Sequence, residues 1–89
     1  MITSDITIVN KLGLHARAAA QFVSTACAFS STVELEKEHR RINAKSIMGV
    51  MMLAANQGTQ LTLHINGPDE GDAMQALTKL VNDKFGEDQ

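Results

Sequence analysis

The stretch TVELEKEHRRIN, residues 32 to 43, indicates how this chain begins to form a sheet. Its first half alternates polar residues with Val33 and Leu35, which is the two-residue period of a strand with one buried face. The polar segment EHRR then predicts a hairpin turn into a short strand around Ile42. Because a hairpin makes its two strands antiparallel neighbours, we expect an antiparallel sheet.

The same alternation occurs in one segment before this stretch and in one segment after it. DITIV, residues 5 to 9, and QLTLHIN, residues 60 to 66, each predict a half-buried strand. Gly67 and Pro68 should end the later strand, since proline has no N–H group to donate to a neighbouring strand. The apolar residues expected to face the core are Ile6, Ile8, Leu61, Leu63 and Ile65.

Helical spacing of apolar residues separates these strands. ARAAAQFVSTACA, residues 16 to 28, predicts an amphipathic helix, and SIMGVMMLAAN, residues 46 to 56, predicts a shorter one. We expect Asp69 to cap a last helix, in which Glu70 and Asp72 complement the positive end of the dipole. The order β-α-β-β-α-β-α then predicts an α+β fold, a four-stranded antiparallel sheet covered on one face by three helices.

Length and composition limit the classes of function. The 89 residues form one domain spanning 1–89, which we expect to be monomeric. A net charge of −2 and few basic residues argue against nucleic acid or a membrane surface as partner. The single cysteine, Cys27, and the absence of a signal-like N-terminus or an apolar run of membrane-spanning length predict a cytoplasmic protein.

KLGLHARAAA, residues 11 to 20, carries the strongest chemical signal. It places His15 at the start of a helix, where unpaired N–H groups, here those of Ala16 and Arg17, form an anion site. The Arg17 guanidinium matches phosphate oxygens, so a phosphoryl group could be carried covalently on the imidazole. Alternatively, His15 is only a helix cap or loop residue and Arg17 a surface arginine.

SIMGVMM, residues 46 to 52, distributes apolar side chains around every side of a two-turn helix. A two-layer domain buries only one side, so Ile47, Met48 and Met51 should form an exposed surface for partners. The alternatives are a surface without function or a dimer contact. Ser46 precedes the run and by itself predicts an N-cap, with a regulatory role as the alternative.

Three motifs, GLHAR, AKSIMGVM and GPDE, occur in an order that resembles the histidine-containing phosphocarrier proteins, the HPr family of the phosphoenolpyruvate-dependent phosphotransferase system. The resemblance implies an open-faced β-sandwich in which Nδ1 of His15 takes a phosphoryl group from enzyme I and passes it to EIIA proteins. It also implies that Arg17 stabilises the phosphate and that a kinase/phosphorylase modifies Ser46. Ala18 departs from the family pattern, which has proline there, and we expect only the transfer rate to change.

The remaining residues suggest no other chemistry. We expect His39 and His64 to be solvated and Cys27 to be a small apolar helix residue, and we predict no metal site and no cofactor. A hydrolase with His15 as base lacks a nucleophile or carboxylate nearby in the sequence, so we predict a carrier and not an enzyme. A nitrogen-branch or purely regulatory HPr-like module remains the alternative.

Overall fold

The computed structural model describes residues 1 to 87. Within them the predicted order of strands and helices is confirmed, with one short 3-10 helix added after the last long helix. The elements are β1 Ile2–Thr7, α1 Ala16–Cys27, β2 Thr32–Lys37, β3 Arg40–Asn43, α2 Ile47–Met52, β4 Gln60–Asn66, α3 Glu70–Asn82 and the 3-10 helix Lys84–Gly86.

The four strands form one antiparallel sheet in the order β1-β4-β2-β3. Leu63 is paired with Leu35 on one side, and Leu61 is paired with Ile6 on the other. This register aligns the apolar residues of three strands on the same face, where the helices cover them. The α+β fold with one face of the sheet covered is therefore confirmed.

The opposite face of the sheet is polar, and it corrects the prediction that His64 is solvated. Only 14% of the His64 side chain is exposed, and its Nε2 lies 2.8 Å from Oε1 of Glu36 on β2. Thr3 on β1 contributes a hydroxyl 3.4 Å from Nδ1. The two neighbouring strands cover the imidazole from both sides, and this sheet register could not be seen in the local alternation of residues 60 to 66.

Two predicted boundaries are wrong. The first strand begins at Ile2 and ends at Thr7, because all six of these residues pair with β4, while Ile8 is buried beyond the end of the strand. The second helix ends at Met52 and not near residue 56. There the Nζ of Lys37 donates to the carbonyl of Leu53 at 2.9 Å, and Ala54 has a left-handed φ of 50°.

Asp69 has the predicted position before α3 but not the predicted contacts. Its side chain makes no capping hydrogen bond to α3. The carboxylate accepts hydrogen bonds from the backbone N–H groups of Ser30 and Ser31, at 2.8 and 2.9 Å, and from the Ser31 hydroxyl. Because these residues precede β2, Asp69 joins the start of α3 to the loop between α1 and β2.

The chain after α3 turns sharply and packs against the core. Lys84 and Phe85 have φ values of 58° and 55°, in the left-handed region that side chains with a Cβ rarely adopt. Phe85 is only 2% exposed, so burial of its ring offsets the unfavourable backbone. This turn directs Glu87, two residues after Phe85, toward Asn10 and His15 at the start of α1.

Candidate functional site

The loop that leads into α1 is held by backbone hydrogen bonds on both sides. Gly13 N–H donates to the carbonyl of Asn10, and Leu14 N–H donates to the carbonyl of Ala55 at 2.8 Å. Gly13 has a φ of +68°, and a Cβ at this position would lie 2.5 Å from the Ala55 oxygen. The glycine is therefore required twice, for its backbone conformation and for the close approach to Ala55.

His15 is the N-cap residue of α1. Its backbone is extended, and its Nδ1 accepts a hydrogen bond from the N–H of Arg17 at 3.3 Å. Nδ1 therefore faces the N–H groups at the start of the helix, where the positive end of the dipole lies. The alternative prediction of a helix cap is correct as a description of the contact, and the cap orients the nitrogen toward the N–H of Arg17.

The other ring nitrogen of His15 contacts a residue that the sequence did not suggest. Nε2 is hydrogen-bonded to Oε2 of Glu87, and the second carboxylate oxygen accepts from Nδ2 of Asn10 at 2.9 Å. Asn10 is fully buried and also donates to the carbonyl of Gly13 at 2.8 Å. The imidazole is thus bound at both nitrogens before any ligand arrives.

Hydrogen bonds and nearby charges favour the ionised form of Glu87. The hydrogen bond from Asn10 is the main cause that lowers the pKa of the Glu87 carboxyl, followed by the hydrogen bond with His15, against a smaller opposing effect of burial. The charge of Arg17 also lowers this pKa. Glu87 is therefore a carboxylate at neutral pH, and His15 lies between it and a positive helix terminus.

The N–H of Arg17 lies on the Nδ1 side of His15, and Ala16 is the first residue of the same helix. Both are exposed residues in the first turn of α1, whereas Ala18 is buried. Among the described residues the Arg17 guanidinium forms no ion pair. A partly exposed imidazole nitrogen, a backbone N–H beside it and an exposed arginine form an arrangement that can accept and hold a phosphoryl group.

Ser46 is the N-cap residue of α2, which confirms the simpler of its two predicted roles. Its hydroxyl oxygen accepts a hydrogen bond from the N–H of Gly49 at 3.3 Å. Ser46 as a whole is only partly covered in this position. The contact neither requires nor prevents modification of the oxygen.

The residues predicted as a partner surface are exposed. Met48 is 69% exposed, and Ile47 and Met51 are about two-fifths exposed, while Val50 of the same helix is buried. Apart from Met1, the exposed apolar residues that the predicted surface did not include are Met52 on α2 and Leu12 in the loop before His15. We call these five exposed residues the apolar patch: Leu12, Ile47, Met48, Met51 and Met52.

The two helices that carry the predicted residues run in opposite directions. The backbone of Lys45, before α2, lies beside Cys27 at the end of α1, and Ala55, after α2, bonds to Leu14 at its start. The 12 residues of α1 span roughly 18 Å. Ser46 and His15 are therefore at opposite ends of this pair of helices.

The residues that the prediction missed are Asn10 and Glu87. Asn10 carried a weak signal, since asparagine is common before tight turns. Glu87 carried none, because it lies 72 residues from His15 in the sequence and its position depends on the turn at Phe85.

The described part of the chain contains neither a candidate metal site nor a candidate membrane-spanning helix. Residues 1 to 87 contain no group of three or more His, Cys, Asp or Glu side chains that could hold a metal ion. Over the same residues, no helix has the length and apolar character that crossing a bilayer requires.

Comparison with known proteins identifies the family of this chain. Residues 2 to 83 match the family model described as the phosphorylation site of the HPr component of the phosphotransferase system. The chain belongs to the HPr family. The phosphocarrier protein HPr of Xylella fastidiosa is 52% identical over 88 residues, which cover 99% of each chain.

Solved HPr structures share the fold. A structure described as HPr-C-His from Thermoanaerobacter tengcongensis superposes with a TM-score of 0.97 at 49% identity, covering all of both chains. A structure described as an HPr dimer from the same organism has a TM-score of 0.79 at 50% identity and covers 98% of this chain and all of that chain. The predicted open-faced arrangement is therefore that of the HPr family.

Proposed function

We propose that this protein is a phosphocarrier of the phosphotransferase system that carries the phosphoryl group on Nδ1 of His15. The observation that supports this most directly is the position of Nδ1 at the start of α1, beside the N–H of Arg17, in a chain of the HPr family. In this proposal enzyme I supplies the group and an EIIA protein receives it. The protein is an intermediate in transfer and not an independent catalyst.

The phosphoryl group gains its stabilisation from groups that are already in place. When the N–P bond forms, the Arg17 N–H loses Nδ1 as acceptor and becomes available to a phosphoryl oxygen. The exposed Ala16 N–H lies in the same first turn, where no intrahelical carbonyl can accept from it. The guanidinium of Arg17 has the planar, forked geometry that binds two phosphate oxygens at once.

The apolar patch is the proposed docking surface for both partners, and Ile47, Met48 and Met51 are its centre. Methionine side chains adapt to differently shaped partners, because they are unbranched and polarisable. Ser46 lies at the edge of this surface. It precedes the first residue of α2, and that end of the helix is the one far from His15. We therefore propose that phosphorylation of Ser46 by a kinase/phosphorylase acts on docking, by adding charge at the surface, and not on the imidazole.

The protein is proposed to act as a monomer, since each partner must reach the exposed residues of α1 and α2. A dimer that used the apolar patch would cover the docking surface. The mass measured by sedimentation, with and without the substitution Met48→Asp, tests this point. A wild-type dimer that the substitution dissociates would contradict the assignment of the patch to partners.

Labelling from phosphoenolpyruvate tests the carrier function. Incubation with enzyme I and labelled phosphoenolpyruvate should give one phosphoryl group per chain, stable to base and labile to acid, as a phosphoramidate is. His15→Ala should abolish labelling, and it should leave the fold intact because the imidazole is partly exposed. His64→Ala is the matched control and should label fully. Persistent labelling of the His15 variant would reject the proposal.

A further inference from the structure

Glu87 contacts the imidazole of His15 on the side opposite to the proposed phosphoryl site. Its Oε2 is hydrogen-bonded to Nε2, while Nδ1 faces the N–H of Arg17. The His15 side chain is 29% exposed and the Glu87 side chain 17%, so the contact is partly shielded from water. Glu87 therefore covers one of the two nitrogens that could take a phosphoryl group.

The carboxylate is held by buried residues and is not a freely moving side chain. Asn10 Nδ2 donates both to Glu87 and to the carbonyl of Gly13. Exchanging the amide nitrogen and oxygen of Asn10 would place the oxygen against these two acceptors, so the orientation of the amide is fixed. In this orientation Oδ1 has no hydrogen-bond partner among the described residues. Burial of Phe85, two residues earlier, anchors the backbone that carries Glu87.

The two partners of His15 require the same arrangement of its proton. A carboxylate only accepts hydrogen bonds, so Nε2 carries the hydrogen. The backbone N–H of Arg17 only donates, so Nδ1 presents its lone pair. Each contact thus favours the tautomer in which Nδ1 is the nucleophile.

We propose that Glu87 is a positioning residue that directs phosphorylation to Nδ1 of His15 by binding Nε2 and closing it to the phosphoryl donor; this inference rests on the function proposed above. In the transfer step the Nδ1 lone pair forms the bond to phosphorus, and the bond from phosphorus to the donor atom breaks, with its electron pair going to that atom. Nε2 keeps its hydrogen throughout, and Glu87 stabilises the positive charge that develops on the ring. Attack by Nε2 would instead bring the phosphoryl charge against the carboxylate.

Direct phosphorylation by phosphoramidate tests the inference without enzyme I. The reagent reacts in its N-protonated form: a ring nitrogen attacks the phosphorus, and neutral ammonia leaves with the electron pair of the broken P–N bond. Phosphorus NMR of the product separates the Nδ1 and Nε2 isomers. The wild type should give the Nδ1 isomer alone, whereas Glu87→Ala should give both isomers and should lower the Nδ1 rate roughly tenfold, as loss of a hydrogen bond to a charged group predicts.

Two further variants separate charge from shielding. Asp83→Asn removes the same charge from an exposed site near the chain's last turn and should behave as the wild type. Glu87→Gln keeps the size of the side chain but not the charge, so it should preserve most of the isomer selectivity while slowing the reaction. A proton-detected nitrogen spectrum should show the ring N–H of His15 in the wild type and lose it by exchange in Glu87→Ala, a change that misfolding does not produce selectively.

The outcomes distinguish this inference from the function on which it rests. If every variant is labelled at Nδ1 alone and at the same rate, Glu87 has no positioning role, although His15 remains the carrier. If the wild type itself gives both isomers, the shielding is absent and the inference is again rejected. If phosphoenolpyruvate and enzyme I do not label His15 while phosphoramidate gives the expected isomers, the proposed function fails and the positioning role stands.

Discussion

At the scale of single residues, the site depends on a few contacts that allow no substitution and on others that only tune a rate. Gly13 belongs to the first kind, because a Cβ would meet the Ala55 carbonyl that holds the next residue, Leu14. Arg17 belongs to the second, since its exposed side chain supports no packing.

Gly13→Ala should destabilise the protein by at least about 1–2 kcal/mol from the left-handed backbone alone, with the contact to Ala55 adding more. Thermal or denaturant unfolding measures the change. Gly71→Ala is the matched control: Gly71 lies in α3 with open space around it, so the same change should stabilise by roughly 0.5–1 kcal/mol. If Gly13→Ala and Gly71→Ala changed the stability equally, the requirement for glycine at position 13 would be contradicted.

Arg17→Lys tests the guanidinium at the proposed phosphoryl site. Lysine keeps the charge but loses the forked geometry, so stability should be unchanged while phosphotransfer from enzyme I slows. Arg41→Lys, on the polar face of the sheet, is the control and should transfer at the wild-type rate. A transfer rate for Arg17→Lys equal to that of the wild type would make Arg17 an ordinary surface residue.

At the scale of elements, α2 combines a structural cap with a proposed switch at one residue. Ser46 accepts a hydrogen bond from the N–H of Gly49. Most of the apolar side chains that follow in α2 are exposed, namely Ile47, Met48, Met51 and Met52. Because α1 and α2 are antiparallel, this cap lies at the far end of the helix pair from His15. The proposed modification of Ser46 and the proposed phosphorylation of His15 are therefore separated in space, although both would act through the same proposed docking surface.

Two substitutions of Ser46 should separate its roles. Ser46→Asp retains a capping oxygen and adds a charge that the helix dipole favours, so stability should be level or rise by roughly 0.3–1 kcal/mol, while docking weakens. Ser46→Ala loses the cap and should destabilise by about 0.5–2 kcal/mol. Its transfer rate should stay near that of the wild type.

Thermal unfolding and the rate of phosphotransfer from enzyme I are the two measurements for this pair. In a domain of this size 1 kcal/mol shifts the melting temperature by roughly 4–8 °C, so the effects are resolvable. If Ser46→Asp sharply lowered the melting temperature but left the rate of phosphotransfer unchanged, Ser46 would be a structural cap only. The regulatory proposal would then be withdrawn.

At the scale of the whole molecule, two carboxylates connect segments that are distant in the sequence. Asp69 joins the start of α3 to Ser30 and Ser31, and Glu87 joins the end of the described chain to Asn10 and His15. The hydrogen bond from the Ser31 hydroxyl is the main cause that lowers the pKa of Asp69 below its ordinary value of 3.8, with the Ser30 N–H next.

These contacts should make stability fall in acid. A carboxyl whose pKa is lower in the folded protein contributes stability above its ordinary value, and the contribution is lost as pH falls through the folded value. For Asp69 the loss should lie below pH 3.8. Asp69→Asn should therefore be less stable than the wild type at pH 7. This difference in stability should shrink as the pH falls below 3.8.

Denaturant unfolding at a series of pH values measures this difference. Asp72→Asn removes the same charge from the first turn of α3, where the side chain is exposed and makes none of the contacts to the α1–β2 loop. Its stability relative to the wild type should lack the acid-dependent step. A difference between Asp69→Asn and the wild type that stays constant from pH 7 to pH 3 would show that the Asp69 contact does not depend on ionisation.

The amino-acid sequence by itself determined the order of the elements, the buried face of each strand and the candidate nucleophile. Such features depend on periodicity and on helix-terminal chemistry, which act over a few residues, so TVELEK and GLHAR carried them locally. Only the tertiary structure decided that Glu87 meets His15, that His64 is covered by neighbouring strands and that Asp69 binds the α1–β2 loop instead of capping α3. These contacts join residues 28 to 72 positions apart, and no local pattern encodes them, because they follow from sheet register and from the turn that buries Phe85.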